Sequence, residues 1–307
     1  MYRTMSEKKT RNQVAAVVVT YNRASLLRHC LVALQAQSIP CDVLVVDNAS
    51  TDDTATVVQQ IMQTNRSVHY RNTGANLGGA GGFHFGMRWA VETGYHFVWV
   101  MDDDCFPELN ALEELLDADE KLKGKYGWLS SRVLWTDGQE CRMNRQKAKK
   151  GIRPIEKNIF PAEQATFVSL FLKAETIRTV GLPIKDFFIW GDDIEYTRRI
   201  AVRQKINSYV VLQSRVVHAM KENTGSNLAT DSRERLQRYR YAYRNENYIY
   251  RQEGLKGRIY YGVKCLYHTA RILARSGTDR GERLKILWGA VREGQHFDPK
   301  IEHIVRE

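Results

Sequence analysis

Residues 14–23 read Val14-Ala15-Ala16-Val17-Val18-Val19-Thr20-Tyr21-Asn22-Arg23. A short apolar run without polar alternation, rich in β-branched residues, is the pattern of a strand covered on both faces in a parallel sheet. The polar Thr20-Tyr21-Asn22-Arg23 ends it. Leu27, Leu31 and Leu34 then recur at helical spacing over 24–37. Residues 42–46 (DVLVV) predict a second buried strand, ending at Asp47-Asn48. Ser50-Thr51-Asp52-Asp53 reads as a helix start, with Val57, Val58, Ile61 and Met62 on one stripe. A short strand at 68–70 precedes Asn76-Leu77-Gly78-Gly79-Ala80-Gly81-Gly82, and a helix follows over about 80–93. Residues 97–101 (FVWVM) form another buried strand, ending in Asp102-Asp103-Asp104.

This alternation predicts an α/β fold: a mostly parallel sheet with helices on both faces. Ligands bind such sheets beyond the carboxyl ends of the strands. Three strands end in polar clusters: Thr20-Tyr21-Asn22, Asp47-Asn48 and Asp102 to Asp104. They are expected to meet in one crevice.

Further along, residues 137–165 are polar, basic and weakly periodic, and read as a mobile loop. A strand is expected at 166–172. An aromatic strand at 187–190 (FFIW) leads into Gly191-Asp192-Asp193-Ile194-Glu195 and a helix to about Arg203. A strand at 208–212 leads to Val216-Val217-His218. Beyond about 230 the pattern is helical. The chain divides into an α/β catalytic unit, 1–228, and a basic helical region, 229–307.

A length of 307 residues allows one α/β domain with an extension. No apolar run of 18 residues is present, which reads against a membrane-spanning helix. Met1 to Gln13 is polar, which reads against a secretory signal. Five scattered cysteines without a CxxC pair suit a reducing compartment and no cysteine zinc site. Of the net charge of +11, most lies late: Arg233 to Glu293 holds 15 Lys/Arg against 6 Asp/Glu. Such a segment attracts phosphate, anionic lipid or nucleic acid. On a helical wheel Ile259, Val263, Leu266, Ala270 and Leu273 fall within about 80°. Lys264, His268, Arg271 and Arg275 cluster opposite. That stripe either lies at a membrane surface, docks on the catalytic unit or forms a subunit contact.

Three consecutive carboxylates at a strand end repel one another unless a cation is present. Asp102 and Asp104 point to the same side of an extended chain, and their hard oxygens suit Mg²⁺ or Mn²⁺. Asp47 fits either a base or ribose contact or a turn cap. Gly78 to Gly82 fits neither a dinucleotide fingerprint nor a P-loop; it allows close backbone approach to a ligand, or simply a tight turn. Asp192 and Asp193 beside Phe188 and Trp190 suit a general base with a raised pKa, or a helix cap. His218 is a third metal ligand or a structural histidine.

Taken together, VVVTYNR (17–23), DNASTD (47–52), NLGG (76–79), Asp102-Asp103-Asp104 and WGDDIE (190–195) resemble family 2 glycosyltransferases of the GT-A fold. The resemblance covers about residues 12–220, and is strongest to the branch of galactofuranosyl- and rhamnosyltransferases that builds bacterial surface polysaccharides. It implies an inverting transfer from a UDP- or dTDP-linked sugar. Thr20, Asn22, Arg23, Asp47 and Asp103 would serve the nucleotide, and Asn76, Gly78 and Gly79 the donor sugar and diphosphate. Asp102, Asp104 and His218 would hold Mn²⁺ or Mg²⁺. Asp193, or else Asp192, would be the base. Gly191 departs from relatives with an acidic or bulky residue there, which leaves that choice open, with Asp193 favoured. The acceptor implied is lipid-linked or a growing oligosaccharide, with the enzyme peripheral at the cytoplasmic face of the membrane and capable of homo-oligomers. A nucleic-acid binder would leave the acidic crevice without purpose, so no nucleic-acid partner is expected. A nucleotidyltransferase would show a glycine-rich basic loop where Thr20-Tyr21-Asn22-Arg23 stands. An inactive binding module fits poorly with an intact set of carboxylates.

Overall fold

A computed structural model describes residues 13–144, 146–149, 151 and 154–304. The expectation about the polar N-terminus lies outside those residues, apart from Gln13. Strands β1 (Val14–Thr20), β2 (Asp42–Asp47), β3 (Val68–Asn72) and β4 (Phe97–Asp102) pair in parallel, in the order β3-β2-β1-β4. All seven residues of β1 are buried, as the unbroken apolar run requires. Its even residues Val14, Ala16 and Val18 share a core with Leu27 and Leu31 of helix α1 (Ala24–Gln35) and Val58 of α2 (Thr54–Thr64). Its odd residues Ala15, Val17 and Val19 pack with Phe83 and Met87 of α3 (Gly78–Thr93). Helices therefore cover both faces. A Cβ on Gly82 would lie 2.5 Å from a Val19 methyl, and one on Gly86 2.4 Å from a Val17 methyl. The glycines let α3 sit directly on β1.

The second half is mixed in direction. It runs β5 (Cys105–Pro107), α4 (Ala111–Lys121), β6 (Leu129–Trp135), β7 (Lys147–Ala148), β8 (Ile159–Gln164), β9 (Leu170–Lys173), α5 (Ala174–Val180), α6 (Asp192–Arg198) and β10 (Ser208–His218). β9 lies antiparallel between β4 and β6, while β10 runs parallel to β6 and antiparallel to β5 and β8. The sheet is thus parallel through β4 and mixed beyond it.

Two local expectations are corrected. The presumed loop 137–165 contains β7 and β8, and β8 pairs with β10; weak periodicity hides a strand whose partner is almost fifty positions away. The aromatic segment 187–190 is no strand. It follows a short 3₁₀ turn (Lys185–Phe187) and takes positive φ at Phe188 (63°), Trp190 (64°) and Gly191 (90°). Phe187 is buried against a helix instead of a sheet, packing with Tyr248 and Ile249, and the three residues after it are half-buried. The strand expected at 166–172 forms later, as β9.

Three helices close the chain: α7 (Arg238–Gln252), α8 (Gly254–Arg275) and α9 (Arg280–His296). Tyr239 and Tyr243 of α7 form a core with Tyr261, Cys265 and Ile272 of α8 and Leu287 and Ala290 of α9. The apolar stripe found on the wheel is not docked. Ile259, Val263, Leu266 and Leu273 are 58%, 61%, 63% and 48% exposed. The opposite face packs inward because its polar members find partners: Lys264 Nζ lies 2.6 Å from Glu246 Oε1, and His268 Nδ1 2.6 Å from the Tyr243 hydroxyl. Among the described residues no helix is long and apolar enough to cross a membrane.

Candidate active site

Register puts the strand ends level. Thr20 pairs across from Asp47, and Val19 from Asp102. The hydroxyl of Thr20 donates to Asp103 Oδ2 at 2.7 Å; Arg23 Nη1 donates to Asp103 Oδ1 at 3.2 Å and to Asp104 Oδ2 at 2.7 Å. Burial opposes the charge on Arg23, but Asp103, Asp104 and Asp102 outweigh it and raise its pKa. Both oxygens of Asp103 are engaged by these two side chains of the chain itself, so Asp103 fixes the turn between β4 and β5. Burial pushes its carboxyl up to about 6.

Asp102, Asp104, Cys105 and His218 offer ligand atoms that all lie within 4.8 Å of one another. The residues fit a hard divalent cation. Burial, followed by the charge of Asp104, pushes Asp102 up to about 7, the signature of carboxylates crowded without enough positive charge. His218 ends β10, with Nε2 3.1 Å from Asp104 Oδ1. Its Nδ1 lies 2.7 Å from Asn144 Oδ1, an acceptor that keeps the proton on Nδ1 and turns Nε2 towards the carboxylates. Burial alone would lower the His218 pKa; the Asp104 and Cys141 contacts outweigh it and raise it to about 10, while Asp104 is lowered. A bound cation would compete for that proton. Cys105 is the poor member of the group: burial and the neighbouring carboxylates push its thiol well up, and a protonated thiol is a weak ligand. Asn144 is itself buried and donates to the Thr166 hydroxyl at 3.1 Å. Removing such an orienting partner typically weakens metal affinity about 10–100-fold, so Asn144→Ala should do so in a calorimetric Mn²⁺ titration. Unchanged affinity would show that Asn144 does not orient His218.

On the other side of the crevice Asn22 ties two strand ends together. Its Oδ1 accepts the Thr51 N–H at 2.7 Å, and its own N–H donates to Ser50 Oγ at 2.8 Å. Asp47 is buried, accepting the Ser50 N–H (2.8 Å), the Tyr70 hydroxyl (2.6 Å) and Asn72 Nδ2 (3.4 Å). Burial and the bond to Asp47 push the Tyr70 hydroxyl up to about 12. Asn76 Oδ1 accepts the Gly78 N–H at 2.9 Å. Gly78 has φ +69°, and a Cβ there would lie 2.1 Å from the Phe188 carbonyl oxygen, so no other residue fits. A Cβ on Gly79 would meet open space.

The segment 187–193 carries the last two carboxylates. Asp192 is buried; that burial and the charge of Asp193 push its carboxyl well up, and Asp102 is among the charges acting on it. Asp193 is half-buried and accepts the Ile194 N–H at 2.7 Å; burial pushes it up to about 6. Asn245 of α7, wholly buried, holds the strained backbone. Its Nδ2 donates to the carbonyls of Phe187 (3.0 Å), Ile189 (3.2 Å) and Trp190 (2.7 Å). Arg244 Nη2 adds the Asp186 carbonyl at 2.8 Å. Arg198 of α6 forms two 2.7 Å bonds to Glu253, tying the other end of the segment to the C-terminal helices.

Sequence reasoning missed Asn144, Tyr70 and Asn245. Two of the three act on groups far along the chain, Asn144 on His218 and Asn245 on Trp190, so no local pattern marks them.

A sheet of this order, with its carboxylates and histidine at the carboxyl ends of β4 and β10, defines a GT-A glycosyltransferase fold. The comparisons agree. The family model described as Glycosyl transferase family 2 matches residues 15–129. Galactofuranosyltransferase GlfT1 of Mycolicibacterium smegmatis is 28% identical over 263 residues, covering 79% of this chain and 84% of that protein. GlfT1 of Mycobacterium tuberculosis is 28% identical over 259 residues with the same coverage. An undecaprenyl-phosphate mannosyltransferase of Micrococcus luteus is 36% identical over 108 residues, 34% of this chain and 44% of that one. Among solved structures, GalNAc-T7 with UDP, GalNAc and Mn²⁺ superposes with a TM-score of 0.65 at 12% identity, over 92% of this chain; the chain spans about half (55%) of its length. S. aureus TarS 1–349 in complex with UDP gives 0.52 at 14% identity, over 93% of this chain and 72% of that one. This protein is a glycosyltransferase, carrying a family 2 domain of the GT-A fold.

Proposed function

We propose that this enzyme is an inverting, metal-dependent hexosyltransferase. On this reading it moves galactofuranose from a UDP-linked donor to a lipid-linked or growing cell-surface polysaccharide acceptor. The reading rests above all on the convergence of Asp102, Asp104 and His218 at one sheet edge, within reach of the electrostatic influence of Asp192. The galactofuranosyl donor is favoured because the likeness to galactofuranosyltransferases runs over 79% of the chain; dTDP-rhamnose is the alternative donor. Residues 1–228 would form the catalytic unit and 229–307 the membrane, acceptor or subunit side, with α7 bracing the base segment. The enzyme would work peripherally at the inner face of the cell membrane.

The chemistry is a single displacement. Asp193 takes the proton of the acceptor hydroxyl; that oxygen bonds to the anomeric carbon from the face opposite the diphosphate; the carbon–oxygen bond to the diphosphate breaks and its electron pair leaves with the phosphate. Asp192, the more buried and within the field of Asp102, lies on the donor side. Asp193 is left for the acceptor. Mn²⁺ or Mg²⁺ held by Asp102, Asp104 and His218 would supply Lewis-acid stabilisation of the leaving diphosphate. Arg23, paired with Asp103 and Asp104, would serve the nucleotide beside them. Asn22 and Asp47 frame the nucleotide side.

The test is a thermal-shift titration with UDP, dTDP and GDP, each with and without Mn²⁺. Ligand that binds only the folded protein raises Tm, by about 2.7 kcal/mol of added stability at a hundredfold excess over Kd. The expected result is a Mn²⁺-dependent shift with UDP that Asp102→Ala abolishes. A shift with dTDP instead would move the donor to rhamnose, and no shift with any nucleotide would defeat the reading.

A further inference from the structure

We infer that the exposed face of α8 docks on an anionic lipid surface, lying flat in the headgroup region. The inference rests on the membrane placement proposed above, and adds the surface that makes the contact. Ile259, Val263, Leu266 and Leu273 form one exposed apolar line, flanked by Tyr260 and Tyr267 at 55% and 59% exposure. Tyrosine rings suit a surface that is apolar at one end and wet at the other. The helix cannot turn this line inward, because Tyr261, Cys265 and Ile272 already anchor the opposite face. At 22 residues and 1.5 Å per residue, α8 offers a strip of about 33 Å.

Charge selects the partner. From Gly254 to Thr278 the sequence holds five Lys/Arg and no Asp or Glu. Lys256 and Arg258 are exposed to either side of the apolar line at its N-terminal end, while Arg275 lies on the far face. A second copy of the chain is disfavoured on the same ground. A parallel pairing through this face sets Lys256 and Arg258 each against itself, and an antiparallel one leaves both without a carboxylate of the partner helix opposite them. No carboxylate on this helix relieves either arrangement. An anionic headgroup layer neutralises Lys256 and Arg258 while the tails receive the apolar line.

The experiment is vesicle flotation of the full chain, with vesicles of equal phosphatidylglycerol and phosphatidylcholine and with phosphatidylcholine alone. The double variant Val263→Asp/Leu266→Asp is compared. Both positions are 60% or more exposed, distant in sequence from the crevice residues, and make no contribution to the core. The wild type is expected to float with the anionic vesicles and weakly with the neutral ones. The variant should lose about tenfold or more in partitioning with an unchanged Tm. Equal flotation of both proteins, or none with anionic vesicles, overturns the proposal. So does a lipid-free sedimentation run in which the wild type is dimeric and the variant monomeric, since a second copy would then own this face. The nucleotide shift is read without lipid: flotation that survives loss of the shift leaves the surface standing and defeats only the catalytic reading, and the reverse result defeats only the surface.

Discussion

Asp193→Asn should reduce sugar transfer by about 10²–10⁴-fold, the usual contribution of a general base, while Mn²⁺-dependent nucleotide binding stays intact. Amide and carboxylate are the same size, so the Ile194 N–H keeps its acceptor, and only the proton sink is lost. Asp192→Asn is the informative partner. Burial and the charge of Asp193 push Asp192 well up, which disfavours its ionised form and brings it closer to asparagine electrostatically. That variant should keep most of its turnover. The pH profile gives an independent check. Burial puts Asp193 at about 6. The base works when ionised, so kcat/KM should fall as pH drops through about 6, and Asp193→Asn should lose that acidic limb. If Asp192→Asn is the inactive variant and Asp193→Asn the active one, the two roles exchange.

Asn245→Ala should cost both stability and turnover although Asn245 touches no substrate. Its amide satisfies three carbonyls of a segment with positive φ at Phe188, Trp190 and Gly191. A buried polar group left without a partner costs about 1–3 kcal/mol, and strained backbone persists only where its surroundings hold it. A drop of about 2 kcal/mol or more in urea unfolding is expected. Because displacement of a catalytic group by 1 Å can cost about 10²-fold, kcat should fall by about that factor with the donor KM little changed. A variant that unfolds more easily but turns over normally would show that α7 braces the fold and not the base.

The parallel half of the sheet was legible because burial on both faces writes itself into the chain. VAAVVV, DVLVV and FVWVM leave no alternative to covered strands, and each ends where polar residues begin. The same rule brought Thr20, Asp47 and Asp102 to one edge, since parallel strands finish level. The mixed half was less legible. β8 is a short segment with no clear alternation, defined by its pairing to β10, and residues 187–190 are apolar without a period long enough to separate strand from turn. Asp103 shows a different limit: the strand end placed it at the crevice, but only the tertiary structure shows its oxygens held by Thr20 and Arg23.

The C-terminal helices show most sharply where sequence stops. The wheel identified two faces of α8, one apolar and one basic, and simple burial logic turns the apolar one inward. The fold chose the other, because a thinner line of Tyr261, Cys265 and Ile272 fits the hollow beside α7 and α9, and because Glu246 and Tyr243 stand ready for Lys264 and His268. Sequence by itself determined the strand ends and their carboxylates, since these follow from local period and residue chemistry, and its likeness to family 2 glycosyltransferases indicated the reaction class. Tertiary structure alone decided which carboxylates remain free, which asparagines steady the histidine and the base segment, and which helix face is left outside. Those outcomes depend on partners far away in the chain, and a hydrogen bond or a packed face exists only once the two distant segments meet.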